Sequence, residues 1–396
     1  MPRPIRRHRM LSLAWLGAVV APLAGQTSPT AAPDTSLPAA SPPAAAGPAP
    51  ASASLKPPSF KLSGYAEASY DYSTQAVANA IVGRLYDRFS GGFTLNALKL
   101  TVDRPYMANK LDAGVHADVL VGQNAAVLQS SGFSLGSDGD VTQLYVTLNV
   151  PTANGNGVQL KAGKMATLMG LEVIEDVANP NWSEGNQFIF VENFTGTGVE
   201  VDYKFSPSVD AEARVDNGWD RVQVNHGHAD FMGRLGLAPG PNTSIGVLGY
   251  VGAQEESSSA ARYGADLLVN QKLGPVSLWL QADYGKEQAN AALPDSTRDA
   301  SWWAVGTWLA YDVTPKLNLA LRADYLDDAE SARTGAAFAL PGALAHKLWS
   351  GTATLNVKSW SNVLVRPEVR YDHSNFTPFK GKNGQATFAV SVAYLY

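Results

Sequence analysis

The chain of 396 residues contains no cysteine. Disulfide frameworks, cysteine-ligated metal sites and thiol chemistry are therefore excluded. Charge is scarce as well, because Asp, Glu, Lys and Arg make up only 16% of the residues, whereas an ordinary soluble domain has about 25%. The only long apolar run lies at the extreme N-terminus, so a polytopic helical membrane protein is also excluded. Many short alternating segments would reconcile the low charge with the lack of long apolar runs.

The N-terminal region is predicted to consist of two segments that precede the folded domain. Residues 1–25 have the basic start, the apolar middle and the small-residue end of a cleaved signal peptide. Residues 26–58 are rich in Pro and Ala and contain no aromatic residue, so we expect an extended, disordered spacer. The domain itself is predicted to occupy residues 59–396.

Loss of the leader changes the charge of the chain. The full sequence has 30 basic and 35 acidic residues. Cleavage of the leader removes four arginines and leaves 26 basic and 35 acidic residues, a formal net charge near -9. An acidic chain of this kind is not expected to bind nucleic acid.

From residue 60 onward, apolar and polar residues alternate in segments that end in Gly, Pro, Asn, Asp or Ser. Residues 209–216 are an example, with Val and Ala on one face and Asp210, Glu212, Arg214 and Asp216 on the other. A period of two predicts β-strands. About sixteen such segments occur, centred near residues 66, 97, 117, 145, 161, 199, 213, 234, 248, 267, 281, 306, 322, 353, 368 and 391.

The connections between these segments alternate between short and long. Short turns on one side and long loops on the other are typical of outer-membrane barrels. Aromatic residues cluster at both ends of the strands, as two membrane interfaces favour, and those next to the long loops include Trp219, Trp302 and Trp303. The predicted fold class is therefore an all-β, antiparallel transmembrane barrel of about sixteen strands, with a porin-like, water-filled lumen.

The last strand resembles the C-terminal signal that the outer-membrane barrel assembly machinery recognises. Its apolar face is formed by Phe388, Val390, Val392, Tyr394 and the terminal Tyr396. We therefore expect that machinery and outer-membrane lipid as partners, with the cell outer membrane as the location.

Several stretches of the sequence resemble the putative β-barrel porin-2 family, the OmpL-like outer-membrane proteins of Gram-negative bacteria. They are Gly64 to Tyr70, Phe93 to Asn96, Lys161 to Lys164, Gly170 to Glu175, Asn179 to Asn181, Asn217 to Asp220 and Arg366 to Asp372. The resemblance covers nearly all of residues 59–396 and implies an outer-membrane barrel, but it supplies no defined substrate.

The candidate functional residues lie in the longest internal loop and on the opposite wall. The loop, residues 167–192, is similar in place and length to the constriction loop of general diffusion porins. It carries the acidic residues Glu172, Glu175, Asp176 and Glu184. The wall carries the inward-facing arginines Arg322, Arg366 and Arg370. The acidic loop and the basic wall, facing each other across the lumen, would set up a transverse electric field in a constriction. Alternatively, the arginines pair locally with Asp324, Glu368 and Asp372 and form a neutral wall, and this second interpretation is favoured.

The expected function is passive diffusion of small hydrophilic solutes, without a cofactor or a metal. A homotrimer is compatible with sixteen strands. One alternative is a non-conducting structural, adhesin or receptor barrel that acts through its extracellular loops. Another is an enzymatic barrel, but no polar triad occurs on the apolar faces. The pair His226 and His228 lacks a cysteine or a nearby carboxylate cluster and is interpreted as part of a loop.

Overall fold

The computed structural model describes residues 58–152, 157–224, 227–255, 258–340 and 344–396. The predicted signal peptide and the predicted spacer, apart from Pro58, lie outside the described residues. His226 lies outside them as well.

Sixteen strands in the described part of the chain form a closed antiparallel barrel, in which each strand pairs with its neighbours in sequence and β1 pairs with β16. The strands are β1 Lys61–Ser73, β2 Gly92–Arg104, β3 Asp112–Val121, β4 Gly139–Val150, β5 Val158–Ala166, β6 Thr195–Ser206, β7 Val209–Asp216, β8 Asp230–Gly240, β9 Thr243–Ala253, β10 Ala261–Leu273, β11 Val276–Glu287, β12 Ala300–Thr314, β13 Leu317–Asp328, β14 His346–Trp360, β15 Val363–Ser374 and β16 Gly384–Leu395. The predicted fold class and the predicted strand count are confirmed.

Long loops follow the odd-numbered strands, and shorter turns follow the even-numbered ones, as predicted. The long loops contain three short helices, α1 Gln123–Leu128, α2 Asn186–Phe190 and α3 Gly335–Phe338. No helix in the described ranges is long and apolar enough to cross a membrane.

The two faces of each strand differ as the alternation predicts. In β7, Ala213 and Val215 are exposed on the outer surface, whereas Glu212, Arg214 and Asp216 are buried towards the lumen. An apolar outer surface suits hydrocarbon, and closure leaves no unpaired sheet edge in it.

The aromatic pattern requires one correction. Trp303 is exposed on the outer surface, but Trp302 and Trp219 are buried inside. Adjacent residues of a strand point to opposite faces, so Trp302 and Trp303 cannot both face lipid. Trp219 lies in the loop after β7, and its ring packs 4.7 Å from the guanidinium carbon of Arg262. Both indoles therefore contribute to the interior rather than to an interfacial belt.

The C-terminal strand closes the barrel against β1. The apolar side chains of its predicted signal, Phe388, Val390, Val392 and Tyr394, are exposed on the outer surface. The ring of Tyr396 covers Gly64, and its hydroxyl donates to the backbone oxygen of Lys99 at 2.8 Å. Whether these residues also signal assembly stays a prediction.

Candidate functional site: the barrel lumen and its inner loop

The connection between β5 and β6 folds into the barrel, and residues 167–194 are named here the inner loop. The backbone nitrogen of Gly170 donates to Asp266 on β10 at 3.0 Å. The indole nitrogen of Trp182 donates to Asp71 on β1, also at 3.0 Å. Because β10 and β1 lie far apart around the barrel, the inner loop spans a large part of the lumen.

Apolar packing holds the inner loop in place. Trp182, Phe188, Phe190 and Phe194 are fully buried in a cluster that also includes Phe338 of α3. Burial of each phenylalanine side chain contributes about 1.5–3 kcal/mol. The loop therefore docks as a packed element with its own hydrophobic core.

Glu368 on β15 anchors the middle of the inner loop. Its carboxylate accepts from the backbone nitrogens of Trp182, at 2.7 Å, and Ser183, at 3.2 Å. The hydroxyl of Thr354 on β14 donates to the same group at 2.6 Å. Glu368 is therefore occupied by the loop backbone.

Arg366 pairs with a different residue from the one that local pairing predicts. Its Nη2 lies 2.7 Å from Glu67 on β1, and both side chains are fully buried. Its Nη1 donates to the backbone oxygen of Asp176 at 2.6 Å. The predicted partner Glu368 is already bonded to the loop, and closure of the barrel brings Glu67 next to β15 through β16.

Arg322 and Arg370 have the local partners that were predicted. Nε of Arg322 lies 3.2 Å from Asp324, and Nε of Arg370 lies 2.8 Å from Asp372. Arg322 also reaches the inner loop, because its Nη1 lies 2.8 Å from Glu172. Loop and wall therefore touch at this ion pair instead of facing each other across water.

The other three loop carboxylates point in different directions. Glu175 pairs with Lys99 on β2. Asp176 accepts from the side-chain amide of Asn124 on α1 at 3.2 Å. Glu184 is buried, and neither of its carboxylate oxygens has a hydrogen-bond partner among the described residues. Glu172, Glu175 and Asp176 thus tie the loop to different elements, and the four acidic side chains do not form a single acidic surface.

Glu184 makes docking of the inner loop sensitive to pH. Burial raises the pKa of Glu184 well above its ordinary value, and the negative charges of Asp87 and Glu172 raise it further. A raised pKa means that the docked loop favours the protonated carboxyl. This contribution to docking is complete below the ordinary glutamate pKa and is lost as the pH rises through the raised value.

We expect limited proteolysis of the inner loop to accelerate as the pH rises from acidic to alkaline, because ionisation of Glu184 opposes docking. The largest effect that a single group can have is about tenfold per pH unit. Glu184→Gln should make this dependence less steep but not abolish it, since burial also raises the pKa of Asp176 and Glu192 in the same loop. Asp295→Asn, in an exposed loop, should leave the dependence unchanged. An equally steep profile in Glu184→Gln would contradict the assignment.

Opposite the docked loop lies a group of inward charges that keep partial contact with solvent, here named the water-facing wall. It consists of the partly exposed Asp103, His116, Lys161, Asp210 and Arg234, together with Glu200, Asp202, Glu212 and Arg214, which are buried beside them. Side chains of Lys161, Asp210 and Arg234 remain 15%, 21% and 13% exposed, whereas those of Arg322 and Arg366 are fully covered. Water therefore reaches this wall and not the arginine wall.

Ion pairs order the water-facing wall. Lys161 lies 2.6 Å from Glu200, and Arg234 lies 3.1 Å from Asp210 and 3.3 Å from Glu212. His116 lies 3.1 Å from Asp118 and thus faces the lumen beside that residue. No group of three side chains suited to a metal ion occurs in the described ranges.

Sequence reasoning missed the roles of Glu67, Asp71 and Thr354 as anchors and of Lys161 and Arg234 as solvent-facing charges. All of them occupy inward strand positions, so the alternation of polar and apolar residues predicted that their side chains lie in the lumen. The missing information was the path of the inner loop, which decides which inward residues it covers.

A closed sixteen-stranded barrel with an apolar outer surface, a charged lumen and an inward-folded loop defines a porin-like channel. The family model described as "Putative beta-barrel porin-2, OmpL-like" matches residues 59–396, and the chain belongs to this family. The resemblance seen in the sequence is thereby confirmed.

Solved structures share the fold at low sequence identity. The outer-membrane channel DcaP of Acinetobacter baumannii is 13% identical, with a TM-score of 0.58, and the match covers 87% of this chain and 99% of that one. The anion-selective porin of Comamonas acidovorans is 12% identical, with a TM-score of 0.57 and coverage of 85% and 99%. The trimer form of OmpT from Vibrio cholerae is 10% identical, with a TM-score of 0.58 and coverage of 86% and 100%. No curated protein shows significant similarity to the chain.

Proposed function

We propose that this porin-like channel lies in the outer membrane and lets small hydrophilic solutes diffuse passively between the inner loop and the water-facing wall. The observation that carries the proposal is the partial exposure of Lys161, Asp210 and Arg234 opposite a loop that seals the arginine wall. Solvated charges on the inner face of the barrel support a water-filled passage. The family and its structural neighbours, which include outer-membrane proteins, support the location.

In this proposal the three wall arginines position the constriction loop, and Glu172, Asp176 and Glu184 belong to the docked element. Glu175, whose side chain is 22% exposed, borders the passage. The barrel assembly machinery is proposed to act on the C-terminal strand. A homotrimer is supported by the trimer form of the structurally similar OmpT.

The test is conductance of the reconstituted full chain in a planar bilayer, together with liposome swelling in sugars and amino acids. The proposal expects discrete conductance steps and swelling that slows as the solute grows. A folded barrel, shown by heat-modifiable gel mobility, that gives neither steps nor swelling would overturn it.

The second candidate function is a non-conducting barrel that acts through its extracellular loops. It is favoured by the apolar cluster inside the barrel, where Leu85 and Tyr86 of the first long loop pack with Phe188, Phe338 and Phe379. A lumen sealed at this level would not conduct. The same bilayer experiment separates the two functions.

An enzymatic role receives little support from the polar chain at the loop end of β14 and β15. Nε2 of His346 lies 2.8 Å from the hydroxyl of Ser374, and Nδ1 lies 2.7 Å from that of Thr334, which in turn donates to Asp328. All four residues are fully buried, so a substrate has no access to the hydroxyl of Ser374. We propose that this chain of hydrogen bonds fastens the loop that carries α3.

A further inference from the structure

Buried acidic residues greatly outnumber buried basic ones. Among the buried side chains of the described residues, 21 are Asp or Glu and 8 are Lys or Arg, an excess of 13 acids. Outward-facing positions at membrane depth are apolar, so these charges belong to the lumen and to the loops folded into it.

The Lys and Arg side chains of the protein do not neutralise all of these buried carboxylates. Both oxygens of Glu184, Oε2 of Glu192, and Oδ1 of Asp266 and Asp283 have no hydrogen-bond partner among the described residues. These four side chains are at least nine-tenths buried. A buried carboxylate without a partner is costly, so it must acquire a proton or a mobile cation.

The acid excess extends to the side of the lumen that water reaches. Asp210 and Glu212 share the single guanidinium of Arg234. Asp202, on the neighbouring strand, lies opposite Glu212 and has no salt bridge in the described part of the chain. Together with Asp103 and Glu200, these three carboxylates outnumber the fixed cations of the wall, Lys161, Arg214 and Arg234, by five to three.

A surplus of one sign in a low-dielectric passage concentrates counter-ions and repels co-ions. We propose that the channel selects cations over anions, that its preferred solutes carry positive charge, and that Asp202, Asp210 and Glu212 are the side chains that determine this specificity. The proposal rests on the proposed function, since selectivity requires a conducting lumen. The similar fold of an anion-selective porin shows that fold alone does not set the sign.

Protonation is the competing way to remove the excess charge. Glu192, which lies beside Asp266, is suited to protonation because no guanidinium or ammonium group in the described ranges pairs with either carboxyl. Asp210 instead keeps 21% of its side-chain surface exposed, so a mobile cation can reach it from the water. The sign of the selectivity at pH 7 therefore distinguishes cation accumulation from a neutralised lumen.

The test is the reversal potential of the reconstituted full chain in a KCl gradient at pH 7. We expect permeability to K⁺ to exceed that to Cl⁻ by roughly threefold or more. The double variant Asp202→Asn/Asp210→Asn should lower this ratio by about half or more. Asp295→Asn, which removes a charge from an exposed loop, is the matched control and should leave the ratio unchanged.

The outcomes separate the two proposals. Conductance steps with equal or anion-favouring permeability would overturn the cation selectivity and leave the channel function intact. If the wild type conducts with a cation preference and the double variant keeps the same preference, the assignment of selectivity to Asp202 and Asp210 is overturned. A folded barrel without any steps would overturn both proposals. If the double variant does not fold, Glu212→Gln tests the same wall, and the wild-type ratio still tests the sign.

Discussion

Replacement of residues 171–191 by a short Gly-Ser linker is expected to raise single-channel conductance by roughly two- to fivefold, since sixteen strands enclose a lumen that the inner loop now partly fills. The removed segment includes Trp182, Phe188 and Phe190, all of them fully buried inside the barrel. Electrical resistance of a narrow passage falls as its cross-section grows. Conductance per channel in a planar bilayer is the measurement.

The matched control replaces the exposed residues 294–297, in the loop between β11 and β12, by the same kind of linker. It should leave conductance unchanged, because that loop lies outside the constriction. The large deletion also removes part of the apolar cluster, so the folded state must be checked by heat-modifiable mobility. A folded deletion variant with wild-type conductance would mean that the inner loop does not restrict the passage.

Arg366→Ala is expected to destabilise the docked inner loop by about 3–5 kcal/mol, because it leaves Glu67 as an uncompensated buried charge. The same substitution removes the hydrogen bond to the backbone of Asp176 and the cation–π contact with Trp182 at 5.2 Å. Thermal unfolding in detergent should occur at a lower temperature. The open-channel current should become noisier as the loop undocks.

A double-mutant cycle isolates the ion pair. Glu67→Gln combined with Arg366→Ala should be less destabilised than the sum of the single variants, since the second change removes the unpaired charge. Arg370→Ala offers a comparison within the same wall, because its local partner Asp372 also pairs with Arg84 at 2.6 Å. If Arg366→Ala and Arg370→Ala both leave conductance and ion selectivity unchanged, the arginine wall has no influence on the passage.

Sequence pattern alone predicted the barrel almost completely, because membrane hydrocarbon enforces the alternation. The alternation alone assigns Glu212 to the lumen and Val215 to the lipid-facing surface. The turns, marked by Gly and Pro, give the number of strands. The placement of Trp302 in the aromatic belt was wrong because it ignored this alternation: Trp303, the next residue, faces lipid, so Trp302 must face the lumen.

The site was predicted only in part, because the inner loop has no periodicity from which its path could be read. Local pairing along the same strand gave the correct partners for Arg322 and Arg370. It failed for Arg366, whose partner Glu67 lies 299 positions away in sequence and is brought near by barrel closure. How deep the loop enters depends on tertiary packing of Trp182 and its phenylalanine neighbours, which no local pattern encodes.

Water and solutes are proposed to pass along the water-facing wall while the inner loop seals the arginine wall. Because the chain has no cysteine, single cysteines can be introduced at Asp210 and at Thr354, and each variant can be exposed to a cationic methanethiosulfonate reagent during recording. The reagent should lower conductance in Asp210→Cys and have no effect in Thr354→Cys, whose position is fully buried under the loop. Modification of Thr354→Cys with no response from Asp210→Cys would contradict this proposal.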